Sequence, residues 1–335
     1  MTAVDDFKGN SISSTFVERS QNKADKSCCS QFCARMYALI SYPIQRLQAI
    51  RKALSNMAVQ DSTSLASLRD SHSLIQLETA RAILFADQQN EGVTITTPDG
   101  AELDAIFQRG TVQKVVLFAV GRGGHYEELG LDGKETMRNF IRLFKEQLGN
   151  VSVLIPNIRG VGASTGLSTS ATIPIDLQSC YKFLFKLGFQ PDDVLTYGHS
   201  LGGLFGLKTA ALIQEEYPQF KISVVVDRSM VDLSQLIESR SGKAAKILTK
   251  ALFINVNTQK DAKSLKGHVI AYNSKADQTI PYVVSFVAQV AKHNIPRLQV
   301  VEMDDELGHD AVHVRKLSHR EATQIGALMR TALNL

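Results

Sequence analysis

The chain has 335 residues, of which 44% are hydrophobic and 21% are charged, and its formal net charge is +4 at pH 7. This near balance of charge, without a Lys/Arg block interleaved with aromatics, argues against nucleic acid as a partner. No apolar run reaches the ~18 residues of a membrane-spanning helix, and the polar N-terminus does not match a Sec signal peptide. The sequence therefore predicts a soluble or cytoplasmic globular protein.

The first 90 residues are expected to lie outside the main domain. Residues 1–27 are polar and predict a flexible tail, while residues 28–90 carry helix-like apolar periodicity and predict a helical N-terminal extension. Its last helix is expected over residues 74–88.

Three cysteines, Cys28, Cys29 and Cys33, cluster at the start of this extension. With only four cysteines in the chain, a disulfide framework is not expected. The simplest interpretation is buried thiols on an apolar helix face. A second interpretation is S-acylation, which together with the N-terminal helix would give peripheral membrane association. Redox or metal use is a third.

From residue 92 the pattern changes to short apolar strands alternating with helices. It begins with a hairpin that turns at Asp99-Gly100. Strands are predicted over 93–97, 101–107, 114–120, 151–156, 193–197, 221–227, 269–273 and 298–302. Helices are predicted over 135–148, 171–187, 204–212, 281–293 and 323–333. Alternation of this kind predicts an α/β fold, with a doubly wound, mostly parallel central sheet.

The most informative motif is Gly198-His199-Ser200-Leu201-Gly202, a G-x-S-x-G sequence between a predicted strand and a predicted helix. A sharp strand-to-helix turn of this kind holds the serine oxygen out of the chain, and its glycines leave room for the strained backbone. The alternative is a glycine-rich turn with an ordinary serine. We interpret Ser200 as a nucleophile.

A serine nucleophile needs a base and an acid that orients the base. Asp277 follows the strand that ends at Asn273, and His309 follows the last strand, so both are expected in loops at the carboxyl edge of the sheet. The motif, the Ser-Asp-His order and the strand alternation together resemble the α/β-hydrolase superfamily of serine hydrolases. The resemblance covers about residues 92–335 and implies a hydrolase domain over residues 91–335, with a short helical cap at residues 230–266.

Alternatives to these assignments remain open at this point. Asp227 is the rival acid, because some relatives keep the acid after the sixth strand. The sequence Val226-Asp227-Arg228-Ser229 also looks like a structural segment of uncharacterised bacterial hydrolases of this superfamily. His313 is the next candidate base, whereas His199 is expected to pack beside the turn. The His309-Asp310 pair and His313 could suggest a metal site, but no further ligand has suitable spacing to them, so no metal is expected. No cofactor is expected either.

Residues 157–166 look like the family's D-x-R-G-x-G-x-S segment, with Asn157 in place of the usual Asp. The resemblance implies a structural role, with glycines in tight turns and a buried Arg159. Phosphate binding is a weaker interpretation, because the Lys-Ser/Thr ending of a P-loop is missing.

The oxyanion hole is expected to use the N–H of Leu201 and an N–H of the loop after the third strand. The family often has His-Gly in that loop, where this chain has Val120-Gly121. By analogy the second donor is Arg122, with Gly121 giving clearance, although Gly121 and Gly123 also remain candidates. The Arg122 side chain either faces solvent or meets an acidic group of the substrate.

The resemblance implies a serine hydrolase of the esterase, lipase or thioesterase type that forms an acyl-enzyme on Ser200. Its substrate is then an acyl ester, with a lipid or an acylated protein both open. Amide or isopeptide cleavage of a protein is an alternative, and a catalytically inactive binding module is another. Caps and pockets vary freely on this fold, so the resemblance does not name the substrate.

Overall fold

The computed structural model describes residues 71–122, 124–130, 135–251, 255–291, 293–303, 308–309 and 318–335. All of them belong to a compact unit that spans Arg51–Leu335. The predicted tail and the first part of the predicted extension lie outside the described residues, as do Cys28, Cys29, Cys33, Gly123, Asp310 and His313. The domain boundaries drawn from the sequence therefore remain predictions. In the described part of the chain, no helix has the length and apolarity to cross a bilayer.

An eight-stranded sheet forms the centre of the described unit, in the order β1-β2-β4-β3-β5-β6-β7-β8. The pairs β1–β2 and β2–β4 are antiparallel and all the others are parallel. The strands are β1 Asn90–Thr96, β2 Glu102–Gln108, β3 Val112–Ala119, β4 Val151–Pro156, β5 Val194–His199, β6 Ser223–Asp227, β7 Val269–Asn273 and β8 Leu298–Glu302. The predicted doubly wound, mostly parallel sheet is confirmed.

Helices cover both faces of the sheet, and strands β4, β5, β6 and β7 are accordingly buried along their whole length. They are α1 Ser71–Ala86, α2 Glu135–Leu148, α3 Ile173–Lys186, α4 Leu201–Glu216, α5 Leu233–Ala251, α6 Gln259–Ser264, α7 Phe286–Val290 and α8 His319–Leu333. Buried side chains of α1, α2 and α8 pack on one face, and those of α3, α4, α6 and α7 pack on the other.

Two predicted helical stretches differ from the structure. The helix expected over residues 281–293 is interrupted after a 3-10 turn at Tyr282–Val284, because Ser285 adopts an extended conformation and caps α7. The predicted cap region, 230–266, contains α5 and α6. Helix α5 is kinked at Gly242, whose φ of 82° is outside the helical range. Helix α6 packs into the core rather than standing apart from it, with Ala262 fully buried.

Candidate active site

Ser200 forms the turn between β5 and α4, with φ 54° and ψ −124°. A positive φ at a residue other than glycine stores strain of about 1–3 kcal/mol and is typical of functional turns. The flanking glycines are required by space, since a Cβ on Gly202 would lie 2.0 Å from the carbonyl oxygen of Ala119, and one on Gly198 would lie 2.4 Å from that of Gly202. The G-x-S-x-G spacing thus lets the helix approach the sheet closely enough to present the Ser200 side chain at its edge.

A chain of hydrogen bonds joins the three side chains that the sequence singled out. His309 Nε2 lies 2.9 Å from Ser200 Oγ, and His309 Nδ1 lies 2.7 Å from Asp277 Oδ2. The other carboxylate oxygen, Oδ1, accepts the backbone N–H groups of Thr279 and Ile280, both at 2.8 Å. These two backbone donors fix the carboxylate, which in turn orients the imidazole with one nitrogen toward the hydroxyl.

The rival carboxylate, Asp227, has other partners. Arg228 donates from Nε to Oδ1 at 2.7 Å and from Nη2 to Oδ2 at 2.8 Å, and the hydroxyl of Tyr197 donates to Oδ2 at 2.9 Å. Asp227 and Arg228 are both buried. Burial opposes the charge of Arg228, but the adjacent Asp227 carboxylate keeps the pKa of the guanidinium above its usual value. Asp227 therefore forms a buried ion pair with Arg228 and does not contact His309 in the way that Asp277 does.

Sequence reasoning placed Arg228 in a structural segment but predicted no contact between it and the site. Its Nη1 lies 3.5 Å from the carbonyl oxygen of Gly308, the residue before His309. Its φ of 40° turns the chain sharply after β6. Neither the segment resemblance nor the adjacent Asp-Arg pair at the end of an apolar strand shows where either side chain points. Arg228 thus links the buried Asp227 to the backbone beside His309.

His199 packs beside the turn, as the sequence predicts. Its ring centroid lies 4.9 Å from that of His309, and its Nε2 lies 3.2 Å from the carbonyl oxygen of His309. His199 is thus placed to support the His309 backbone rather than to receive a proton from Ser200.

The loop after β3 lies against Ser200. A Cβ on Gly121 would be 3.2 Å from Ser200 Cβ, so a larger residue there would have to push Ser200 aside by a few tenths of an ångström. The Arg122 side chain is exposed. Leu201 is the first residue of α4, where N–H groups have no partner four residues earlier in the helix. The backbones of the loop and of the helix start thus meet beside the hydroxyl, as an oxyanion hole requires.

An apolar pocket adjoins this turn on the side of the β3 loop. Its walls come from that loop, the end of β4, and helices α3 and α4. It is lined by Ala119, Val120, Gly121, Pro156, Ile158, Ile173, Leu177, Leu201, Gly202 and Phe205. All ten lining residues are apolar or glycine, so the pocket presents an apolar surface beside Ser200.

The segment after β4 connects neighbouring elements through buried hydrogen bonds. The buried Arg159 donates to Asp176 on α3, from Nε at 2.7 Å, and to Asp99 in the β1–β2 turn, from Nη1 at 2.7 Å. These hydrogen bonds from Arg159 lower the pKa of the Asp99 carboxyl. Asn157, which replaces the family's Asp, donates to Glu127 at 2.9 Å. Because carboxylates already occupy the guanidinium, the phosphate-binding interpretation has no support here.

Solved structures of other proteins superpose on this chain. The esterase Pf2001 of Pyrococcus furiosus superposes with a TM-score of 0.56 at 17% identity, covering 72% of this chain and 90% of that one. An alpha-beta hydrolase of Vibrio vulnificus gives 0.59 at 17% identity, covering 77% and 86%. These likenesses show the α/β-hydrolase fold.

Sequence comparison adds relatives and a family. Phosphatidylserine lipase ABHD16A of Mus musculus is 28% identical over 196 residues, which are 56% of this chain but only 32% of that protein. The chain thus matches about a third of the length of this curated relative. The DUF818 model, described as Chlamydia CHLPS protein, matches residues 38–298, well over half of the chain. The chain, with its α/β-hydrolase fold, therefore belongs to the DUF818 (Chlamydia CHLPS protein) family.

Proposed function

We propose that this protein is a serine hydrolase that cleaves an acyl ester or thioester through an acyl-enzyme on Ser200. The observation that carries the proposal is the hydrogen-bond chain from Asp277 through His309 to Ser200. A hydroxyl becomes a useful nucleophile when an adjacent base can take its proton and a third group holds that base in the right tautomer.

In the proposed mechanism, His309 Nε2 takes the proton of Ser200 Oγ as the oxygen attacks the acyl carbon. Asp277 holds the proton on Nδ1 and stabilises the imidazolium that forms. The oxyanion receives hydrogen bonds from the N–H of Leu201 and from the β3 loop, with Arg122 as the assigned donor and Gly121 as its neighbour. His309 then returns the proton to the leaving group, and water cleaves the acyl-enzyme with His309 again acting as base.

Reaction with a fluorophosphonate probe tests the proposal directly, because such probes phosphonylate activated serines. We expect the folded wild-type chain to gain one adduct, and peptide mapping by mass spectrometry to place it on Ser200. The matched control is Ser229→Ala. Ser229 is a buried serine whose hydroxyl has no hydrogen-bond partner among the described residues, so this variant should label like wild type. A folded wild-type protein that stays unlabelled would favour the inactive binding module.

For the substrate, we propose an ester with an apolar acyl group, and a lipid ester in particular. Two observations support this: the apolar pocket beside Ser200, and the similarity to a protein named phosphatidylserine lipase. Amide or isopeptide cleavage remains the alternative. A panel of p-nitrophenyl esters of rising chain length, run beside a phospholipid, an acyl-cysteine peptide and a ubiquitin conjugate, separates these classes.

Narrowing the pocket should change acyl-chain preference. Ile158 lines the pocket and is only partly buried, so Ile158→Phe should fill space there at little cost to the fold. We expect kcat/KM to fall by about 10-fold or more for long-chain esters and to change little for acetate. The measurement is the ratio of kcat/KM values for p-nitrophenyl octanoate and acetate. An unchanged ratio would mean that the acyl chain lies elsewhere.

A further inference from the structure

Helix α5 carries an unusual combination of exposed apolar and basic side chains. Of the seven large apolar side chains that are exposed in the described part of the chain, two lie on α5, Ile247 at 68% and Leu248 at 51%. Two more, Tyr282 and Val283, lie on the 3-10 turn that contacts α5. Four of the seven thus lie on two contacting elements, whereas exposed apolar side chains are normally scattered singly over a protein surface.

The charge of α5 is strongly one-sided. The helix has four basic residues, Arg240, Lys243, Lys246 and Lys250, and a single acidic residue, Glu238, which pairs with Lys246. At ~100° per residue, Ile247 lies nearly opposite the buried Thr249, with Lys243 and Lys250 within ~60° of it on one side and the exposed Leu248 ~100° away on the other. Exposed apolar side chains flanked by lysines are the pattern of a helix that lies in a membrane interface.

The position of α5 connects this surface to the proposed active site. Leu233, at its start, packs with Leu201 of the nucleophile turn in one buried cluster. Arg240 donates from Nη2 to the carbonyl oxygen of Thr279 at 2.6 Å, in the loop that holds Asp277. The exposed second half of the helix begins after the kink at Gly242. A surface that contacts the second half of α5 would therefore be bound by the same helix that packs against the nucleophile turn and the Asp277 loop.

We propose that the outer face of α5, formed by Lys243, Ile247, Leu248 and Lys250, binds the surface of an anionic lipid bilayer. The apolar pair enters the boundary between head groups and acyl chains, while the lysines contact anionic head groups. Charge selects this partner over a second copy of the chain, because two such faces would oppose their lysines in a symmetric contact. The binding does not depend on hydrolysis, so it can be tested apart from the proposed function.

The test is co-sedimentation of the full chain, carrying Ser200→Ala so that lipids stay intact, with phosphatidylcholine vesicles and with vesicles that also contain phosphatidylglycerol. We expect binding to the mixed vesicles and much weaker binding to phosphatidylcholine alone. Ile247→Asp/Leu248→Asp should weaken binding at least about tenfold, and Lys243→Gln or Lys250→Gln about fivefold each. The matched control is Ile83→Asp, which places the same charge on an exposed isoleucine of α1 and should bind like the parent.

Three results would overturn the proposal. The first is a parent protein that does not bind the mixed vesicles, or binds both kinds equally. The second is an α5 double variant that binds as well as the Ile83→Asp control, which would assign binding to another part of the chain. The third is a parent that forms a dimer through this face. The double variant would then lose the dimer but keep its binding to vesicles. Far-UV circular dichroism confirms that each variant is folded.

Discussion

Replacing His309 with alanine should lower kcat for ester hydrolysis by about 10⁶-fold, close to the loss expected when a whole catalytic unit fails. The reason is the 2.9 Å contact between His309 Nε2 and Ser200 Oγ. Without that imidazole the hydroxyl keeps its proton at neutral pH and is a poor nucleophile. The measurement is steady-state kinetics with a p-nitrophenyl ester, together with the rate of fluorophosphonate labelling.

The other histidines provide the controls. His313→Ala removes the second candidate base and should leave kcat within a few-fold of wild type. His199→Ala removes the ring beside His309 and a contact with its backbone, so a moderate loss is expected. If His313→Ala abolished turnover while His309→Ala kept it, the proposed base would be wrong.

Asp277→Asn should lower kcat by about 10⁴-fold while leaving the fold intact. Two backbone N–H groups bind Oδ1, so the side-chain oxygen of the asparagine must occupy that position. Its amide NH₂ then faces His309 Nδ1, which has to accept rather than donate. The imidazole is held in the tautomer with a proton on Nε2, the atom that must receive the proton of Ser200.

Asp227→Asn is the matched variant, and we expect it to lower the stability of the fold while changing kcat little. It leaves the fully buried Arg228 beside a neutral partner, and breaking a buried ion pair costs about 3–5 kcal/mol of stability. We expect a large loss in the free energy of unfolding, measured with urea, and kcat per folded molecule within about tenfold of wild type. Full activity of Asp277→Asn beside an inactive, folded Asp227→Asn would reverse the two assignments.

The largest difference between sequence and structure concerns α5 and the region after β7. Periodicity predicts helical runs in both, but it does not detect the kink at Gly242 or the extended Ser285 that separates the 3-10 turn from α7. Both features depend on a single residue leaving helical geometry, whereas a periodic pattern averages over several turns. The sequence pattern also does not show that Ile247 and Val283 are exposed, because apolar residues in a helical pattern are normally assigned to the core.

The sequence by itself determined the order of strands and helices along the chain and the turn at Ser200. Apolar runs of strand length and the G-x-S-x-G spacing act locally, through backbone sterics and burial, so neighbouring residues suffice to specify them. Tertiary structure alone decided which carboxylate faces His309. Asp227 ends one parallel strand and Asp277 follows the next, at the same edge of the sheet, and their partners are set by packing. Arg228 pairs with Asp227, whereas Asp277 pairs with His309, 32 positions along the chain. Such contacts form only when distant loops meet, which no local pattern encodes.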